Sequence, residues 1–287
     1  MAPISTEELH LFHKTDREVF CFLIFKLRRD ITQSLLVMAI WLWLEHNGYP
    51  DIIHRVMGLP SSLVNALVNE AVSCLKCLET ENPVIPHGGG LPLTRTLTQK
   101  DISLRIFNEK RYTIVAGIKS VLKNLCARIF SDVLQIILKS ALINKTGTSR
   151  VNIANMPLVV PGFPHPLFGT FDIPPKDVVN LDLSDERIWN GIGPCDDVTN
   201  DDKSMFLTFS RGFPVSELEV RQLFTFAYGD CVHSLSMGNA DGQDQALFAI
   251  LVLKSVGTVD EILGGKRVAK LQINGKHIWA RKYERRD

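Results

Sequence analysis

The fold of the C-terminal part of the sequence is decided by residues 205–209, MFLTF, and residues 246–253, ALFAILVL. Both stretches are rich in the branched and aromatic residues that favour β-strands. Around them the residue pattern follows the order strand, helix, strand, strand, helix, strand. This pattern therefore predicts that residues 203–287 form a four-stranded sheet backed by two helices.

Local boundary signals place the remaining elements of this region. A polar N-cap, a glycine pair after a helix and an Asn-Gly turn are the strongest of them. The elements are a helix over 217–224 with Ser216 as its N-cap, a strand over 232–237, a helix over 256–263, and a last strand formed by 269–273 and 277–281 around Asn274-Gly275.

In this order the elements resemble the RNA-recognition-motif family. Residues 205–210, MFLTFS, are similar to the family's RNP2 hexamer, and residues 246–253 are similar to its RNP1 octamer. Ile273-Asn274-Gly275 resembles the family's fourth-strand signature. The resemblance implies an α+β chain whose C-terminal domain has the ferredoxin-like βαββαβ fold and binds short single-stranded RNA.

The resemblance also implies which residues bind RNA. Such domains stack unpaired bases on aromatic rings of the sheet face that the helices leave open. Alternation along the strands places Phe206, Thr208, Phe248 and Ile250 on that face, and the intervening residues against the helices. These four residues are the predicted base-binding group.

The RNP1-like stretch departs from the family pattern at three positions. Ala246 stands where the family has a basic residue, Leu247 where it has glycine, and Ile250 where it has a ring. Two of three stacking rings remain, without the phosphate-binding cation. Such a face fits RNA binding, but it equally fits a surface that packs on a partner or on another part of this chain.

A basic end follows the last strand. Arg281, Lys282, Arg285 and Arg286 are candidates for binding phosphates, and rings at 279 and 283 lie among them. A solvated basic end is the alternative. By contrast, residues 172–203 contain nine acidic residues and three basic ones.

The N-terminal part of the sequence has helical periodicity. Asp30 is a good N-cap for a segment that is apolar on every side up to His46, as in the central helix of a bundle. Apolar residues three or four apart between Ile114 and Ile136 predict one long helix. The proline- and glycine-rich residues 82–96 predict a loop.

These patterns define the predicted domains. They are an all-helical domain of about six helices over 15–145, a proline-rich and then acidic linker over 146–202, and the domain over 203–287. Residues 15–22, 34–45 and 69–78 resemble a poorly characterised group of plant proteins that join such helices to a C-terminal RNA-recognition motif. The resemblance implies a land-plant protein, and we expect the helices to bind a protein partner or to dimerise.

No motif for catalysis, cofactor binding or metal binding emerges. The sequence HGGG at 87–90 imitates an esterase loop, but no Gly-x-Ser-x-Gly nucleophile accompanies it. Cys74 and Cys77 lack a second ligand pair for zinc. The apolar run 34–44 is shorter than the roughly 20 residues that cross a bilayer. We therefore expect no enzyme, no cofactor, no metal, no membrane association and no secretion, and a location in the nucleus or cytoplasm, with the nucleus favoured.

Two functional hypotheses follow from these patterns. In the first, the chain binds single-stranded RNA through its sheet and recruits a partner through its helices. In the second, it is a protein-interaction adaptor whose sheet packs on protein through Phe206, Phe248 and Ile250.

Overall fold

A computed structural model describes residues 5–146, 159–173, 198–239 and 245–284. The described residues divide into two compact units. The first comprises the chain up to Glu79, Ile85–Leu104, and the residues from Gly117 to 173. The second comprises Thr80–Val84, Arg105–Ala116, and the residues from 198 onward. Two short segments of the predicted helical domain thus group with the C-terminal sheet.

The N-terminal region is helical over most of its described length. Two π-helical stretches, Phe22–Lys26 and Leu122–Cys126, lie between its α-helices. The α-helices are α1 (Thr6–Phe12), α2 (Lys14–Cys21), α3 (Ile31–His46), α4 (Ile52–Met57), α5 (Ser61–Glu79), α6 (Pro92–Thr98), α7 (Leu104–Glu109), α8 (Arg111–Val121), α9 (Ala127–Ile129) and α10 (Ser131–Thr146).

Helix α3 is the central helix of the first unit, as predicted. Asp30 caps it by accepting a hydrogen bond from the Gln33 backbone N–H at 2.8 Å. Every residue from Ser34 to Leu44 is buried, so this part of the helix has no solvent-facing side. Gly117 makes room for Trp43, because a Cβ at Gly117 would lie 2.1 Å from Trp43 Nε1.

Other details of the helical prediction are wrong. Helix α6 begins inside the predicted loop 82–96 and ends at Thr98, because Pro92 fits the first position of a helix, where no backbone N–H is needed. The predicted long helix is continuous from Arg111 to Ile129, through α8, a π-helical stretch and α9, but it breaks at the non-helical Phe130, after which α10 begins at Ser131. Nine of these α-helices, α2 to α10, lie between residues 14 and 146, where about six helices were predicted. Apolar spacing of three or four continues across the break at Phe130, so periodicity does not reveal it.

The C-terminal sheet has five antiparallel strands rather than four. The predicted last strand is a hairpin whose turn residues, Asn274 and Gly275, have φ values of 47° and 76°. The strands are β1 (Ser204–Phe209), β2 (Val232–Asn239), β3 (Ala246–Leu253), β4 (Val268–Ile273) and β5 (Lys276–Lys282). Their order across the sheet is β2-β3-β1-β5-β4. The chain is thus α+β, with a helical N-terminal region and a C-terminal antiparallel sheet.

Two helices, α11 (Glu217–Tyr228) and α12 (Val256–Leu263), pack on one face of this sheet. Ser216 and Glu219 form a capping box at the start of α11, in which each side chain accepts a hydrogen bond from the other residue's backbone N–H. The predicted N-cap is therefore confirmed. The core between helices and sheet contains Val220, Phe224, Val259, Leu263, Met205, Leu207, Ala249, Leu251, Ile278 and Ala280.

Residues 105–116 lie on the helical side of the second unit. The Asp260 carboxylate of α12 accepts hydrogen bonds from the Tyr112 and Thr113 backbone N–H groups at 2.9 and 2.8 Å, and so caps the start of α8. Burial raises the pKa of Asp260. Asn108 Nδ2 donates to the Gly265 carbonyl at 3.3 Å. These contacts involve α12 and the turn after it, which lie on the side of the sheet away from the predicted RNA-binding face.

Part of the predicted linker is packed rather than extended. Val160, Phe163, Phe168 and Phe171 are buried, and residues 159–173 belong to the first unit. The rings of Phe163 and Phe171 lie 5.3 Å apart. Residues 147–158 and 174–197, which include most of the acidic residues of the predicted linker, lie outside the described residues.

Candidate nucleic-acid interface

The sheet has a packed face and an open face. Leu207, Leu251 and Ile278 point into the helix-covered core and are fully buried. Because side chains alternate along a strand, the intervening residues lie on the other face. On the three central strands these open-face residues are Phe206, Thr208, Phe248, Ile250, Val252, His277, Trp279 and Arg281.

The strand register arranges most of these side chains in two rows. The first row crosses β3, β1, β5 and β4 and contains Phe248, Thr208, Trp279 and Lys270. The second row crosses the same strands and contains Ile250, Phe206, Arg281 and Val268. All four predicted base-binding residues and one predicted phosphate-binding residue, Arg281, therefore lie together on one surface.

The Phe206 and Phe248 rings stack on each other. Their centroids are 5.4 Å apart, and their planes differ by 20°. Both side chains are half-buried, so part of each ring is accessible. Gly238 on β2 lies opposite Phe248, and a Cβ at Gly238 would come within 2.2 Å of the Phe248 ring. The glycine therefore allows the ring to lie flat against the sheet.

The Arg281 guanidinium lies over the Phe206 ring. Its central carbon is 4.7 Å from the ring centroid, a distance at which a cation and an aromatic ring attract each other. Arg281 faces Phe206 across the β1–β5 pair and is half-buried. A planar cation on an aromatic ring provides two groups that single-stranded RNA uses, a surface for a base and a charge for a phosphate.

A second ring and a second cation lie on the same face. Trp279 is 45% exposed, and Lys270 Nζ is 5.3 Å from the centroid of its indole. The residue pattern alone places Trp279 in the basic end and predicts no base-binding role for it. The available signal was its position two residues before Arg281 on the same strand, since this spacing places both side chains on one face.

Lys282 does not join this surface. It follows Arg281 directly, so its side chain leaves the strand on the other side. Its ammonium group donates to the Ser204 and Tyr283 backbone carbonyls, each at 3.2 Å, and also to the Asp201 carbonyl. These bonds hold the charge where β1 begins and β5 ends. The last two predicted cations, Arg285 and Arg286, lie outside the described residues.

The distribution of charge differs between the two faces. The five strands contain no Asp or Glu. On the helical side, Lys276 Nζ forms an ion pair with Glu219 of α11 at 2.7 Å. On the open face, Lys270 and Arg281 lie over rings, and neither forms an ion pair with a carboxylate among the described residues. A surface with cations, rings and no strand carboxylate favours an anionic, aromatic ligand.

No known protein family, curated protein or solved structure matches this chain. Across the described part of the chain, no cluster of His, Cys, Asp and Glu has the arrangement of a metal site. None of the helices in that part is long and apolar enough to cross a membrane.

Proposed function

We propose that this chain is a non-enzymatic RNA-binding protein and that its C-terminal unit is an RNA-recognition motif. The observation that supports the proposal best is the stacked Phe206–Phe248 pair with the Arg281 guanidinium over the Phe206 ring. The element order β1-α11-β2-β3-α12-β4 also supports it. In this assignment β5 completes a hairpin with β4 and is the strand that pairs with β1.

The two rings supply the affinity in this proposal. A base that stacks on an aromatic side chain contributes about 1–3 kcal/mol, with little dependence on base identity. Adjacent rings accept neighbouring unpaired bases. The Thr208 hydroxyl lies in the same row as Phe248 and offers a donor and an acceptor for a base edge or a ribose.

Arg281 gives the site its charge. A base on the Phe206 ring takes the place that the guanidinium occupies in the free protein. The displaced guanidinium then pairs with a flanking phosphate, where its planar donors fit two phosphate oxygens. It thereby replaces the cation that is missing at Ala246.

A second candidate function is a protein-interaction adaptor. The observation that favours it is the half-buried apolar pair Ile250 and Val252 beside the rings on β3. In that function the open face packs on a protein, and the aromatic rings serve as anchors. In both functions the helical unit recruits a partner or dimerises.

The test is RNA binding by the full chain with both rings removed. We expect Phe206→Ala together with Phe248→Ala to weaken binding by about 30-fold or more, because two stacking contacts of about 1–3 kcal/mol each are lost. The measurement is fluorescence anisotropy with a labelled pool of random single-stranded octaribonucleotides. Circular dichroism establishes that the variant is folded.

Phe226→Ala is the matched control. Phe226 is 94% exposed but lies on α11, on the helical side of the sheet, so its removal should leave the affinity unchanged. If the double variant binds RNA as tightly as the original chain, the proposed site is wrong. If the original chain does not bind the pool at all, the adaptor function is favoured.

A further inference from the structure

The β4–β5 hairpin adds an exposed ring to the open face at a defined place. Trp279 on β5 lies directly opposite Thr208 on β1, and Thr208 lies directly opposite Phe248 on β3. On its other side Trp279 faces Lys270 on β4. The ring is therefore in the same row as Phe248, two strands away, with a hydroxyl between them and a cation beyond.

We propose that Trp279 and Lys270 form a separate nucleotide subsite, in which the indole stacks on a base and the ammonium group of Lys270 binds the adjoining phosphate. This inference rests on the proposed RNA-binding function and extends it to the fifth strand. The subsite supplies the third ring that Ile250 does not provide. It also assigns a role to the hairpin, which the four-stranded prediction did not contain.

The burial pattern along β5 argues against a core role for Trp279. Its neighbours Ile278 and Ala280 are fully buried, whereas Trp279 is 45% exposed. A large ring with this exposure has free surface for a ligand. Lys270 is exposed, and no carboxylate of the described residues pairs with it. Its charge is therefore available to a phosphate.

The spacing between the rings defines the form of the ligand. Neighbouring strands lie about 4.8 Å apart, so Phe248 and Trp279 arise from backbones about 10 Å apart. Bases stacked in a helix are separated by only about 3.4 Å. The two rings therefore hold bases that do not stack on each other, and the ligand is a splayed single strand rather than a duplex.

The test compares Trp279→Ala with Trp279→Phe in the full chain, using the same labelled octaribonucleotide pool. We expect the alanine variant to bind about 5-fold to 100-fold more weakly, and the phenylalanine variant to retain most of the affinity, because it keeps a stacking surface. Lys270→Gln should weaken binding less and should reduce its dependence on salt. Phe226→Ala again serves as the aromatic control.

Intrinsic fluorescence gives an independent readout of stacking. The chain has three other tryptophans: Trp41 and Trp43 are buried, with 1% and 7% exposure, and Trp189 lies outside the described residues. With Trp189 replaced by phenylalanine in both chains that are compared, a base stacked on Trp279 should quench the emission of Trp279 in preference to that of Trp41 and Trp43. The quenching that the octaribonucleotides produce in the chain that keeps Trp279 should be lost or strongly reduced in Trp279→Phe. Quenching that persists undiminished in this variant would contradict the subsite.

The outcomes separate the subsite from the proposed function. If Trp279→Ala binds normally while Phe206→Ala with Phe248→Ala binds weakly, the Trp279 subsite is wrong and the RNA-binding function stands. If the original chain binds none of the pool, both are wrong. Weakening by Trp279→Ala, recovery by Trp279→Phe and loss of quenching together support the subsite.

Discussion

The packed and open faces of the C-terminal sheet contain the same residue types in different surroundings. Phe224 on the packed side is fully buried, whereas Phe206 and Phe248 on the open side are half-buried and stack on each other, with the Arg281 guanidinium over the Phe206 ring. Lys276 on the packed side pairs with Glu219, whereas Lys270 lies over an exposed indole. The buried ring on the packed face stabilises the core. The rings on the open face lie beside cations that form no ion pair with a carboxylate of the described residues, and such a combination is suited to bind a ligand.

The largest effect should come from the packed face. Phe224→Ala removes a fully buried ring from between α11 and the sheet. We expect it to lower the free energy of unfolding of the second unit by about 3–5 kcal/mol, as is typical for truncation of a buried phenylalanine. Hydrogen exchange of the β1 and β3 amides in the full chain measures this loss, because those amides report on the second unit.

Phe206→Ala is the matched variant on the open face. It should cost less than half as much stability, because the ring is only half-buried and leaves no enclosed cavity. The order of the two effects is the test of the comparison. If Phe206→Ala destabilises the second unit as much as Phe224→Ala, the open face is part of a core and does not serve as a ligand surface.

The alternation of apolar residues predicted part of the sheet. It located β1 and β3, because one face of each strand must be buried and the period of two is strict, whereas N-cap and glycine signals located β2 and both helices of the second unit. It did not predict that residues 268–282 form two strands. Asn274-Gly275 indicates a turn, but whether the second half of the hairpin pairs with β1 is decided by tertiary contacts.

The candidate site was predictable only in part. Phe206 and Phe248 followed from the family resemblance, and the alternation placed them on one face. Gly238 could not be recognised, because its role depends on the Phe248 ring that lies over it. Lys282 was grouped with Arg281 by charge, although adjacent residues on a strand face opposite ways. The positions of Trp279 and Lys270 depend on the unpredicted hairpin.

A smaller effect, on the salt dependence of RNA binding, should distinguish Arg281 from Lys282, the two adjacent cations at the end of β5. Arg281→Gln removes a charge from the open face, and we expect it to reduce the slope of log affinity against log salt by about 0.7, the value for one phosphate contact with single-stranded nucleic acid. Lys282→Gln should leave the slope unchanged, because its ammonium group is held by backbone carbonyls. The measurement is anisotropy over a series of salt concentrations. Equal changes in both variants would contradict the assignment of the two cations to different faces.

The smallest effect concerns the carboxylate on the packed side. The Lys276 ammonium group, with hydrogen bonds from Ser216 and Asn274, lowers the pKa of Glu219 from 4.5 to about 2. A carboxyl group with a lowered pKa in the folded state stabilises the fold above its unfolded pKa, and the contribution is lost as pH falls from about 5 towards 2. Glu219→Gln should therefore reduce stability at neutral pH and make little difference at pH values near 2. The pH dependence of urea unfolding, measured for Glu219→Gln, Lys276→Gln and the double variant, checks this coupling.

RNA affinity at neutral pH should be unaffected by Glu219→Gln, because the ion pair lies on the helical side of the sheet. A change in affinity as large as that of Arg281→Gln would mean that the two faces do not have separate roles.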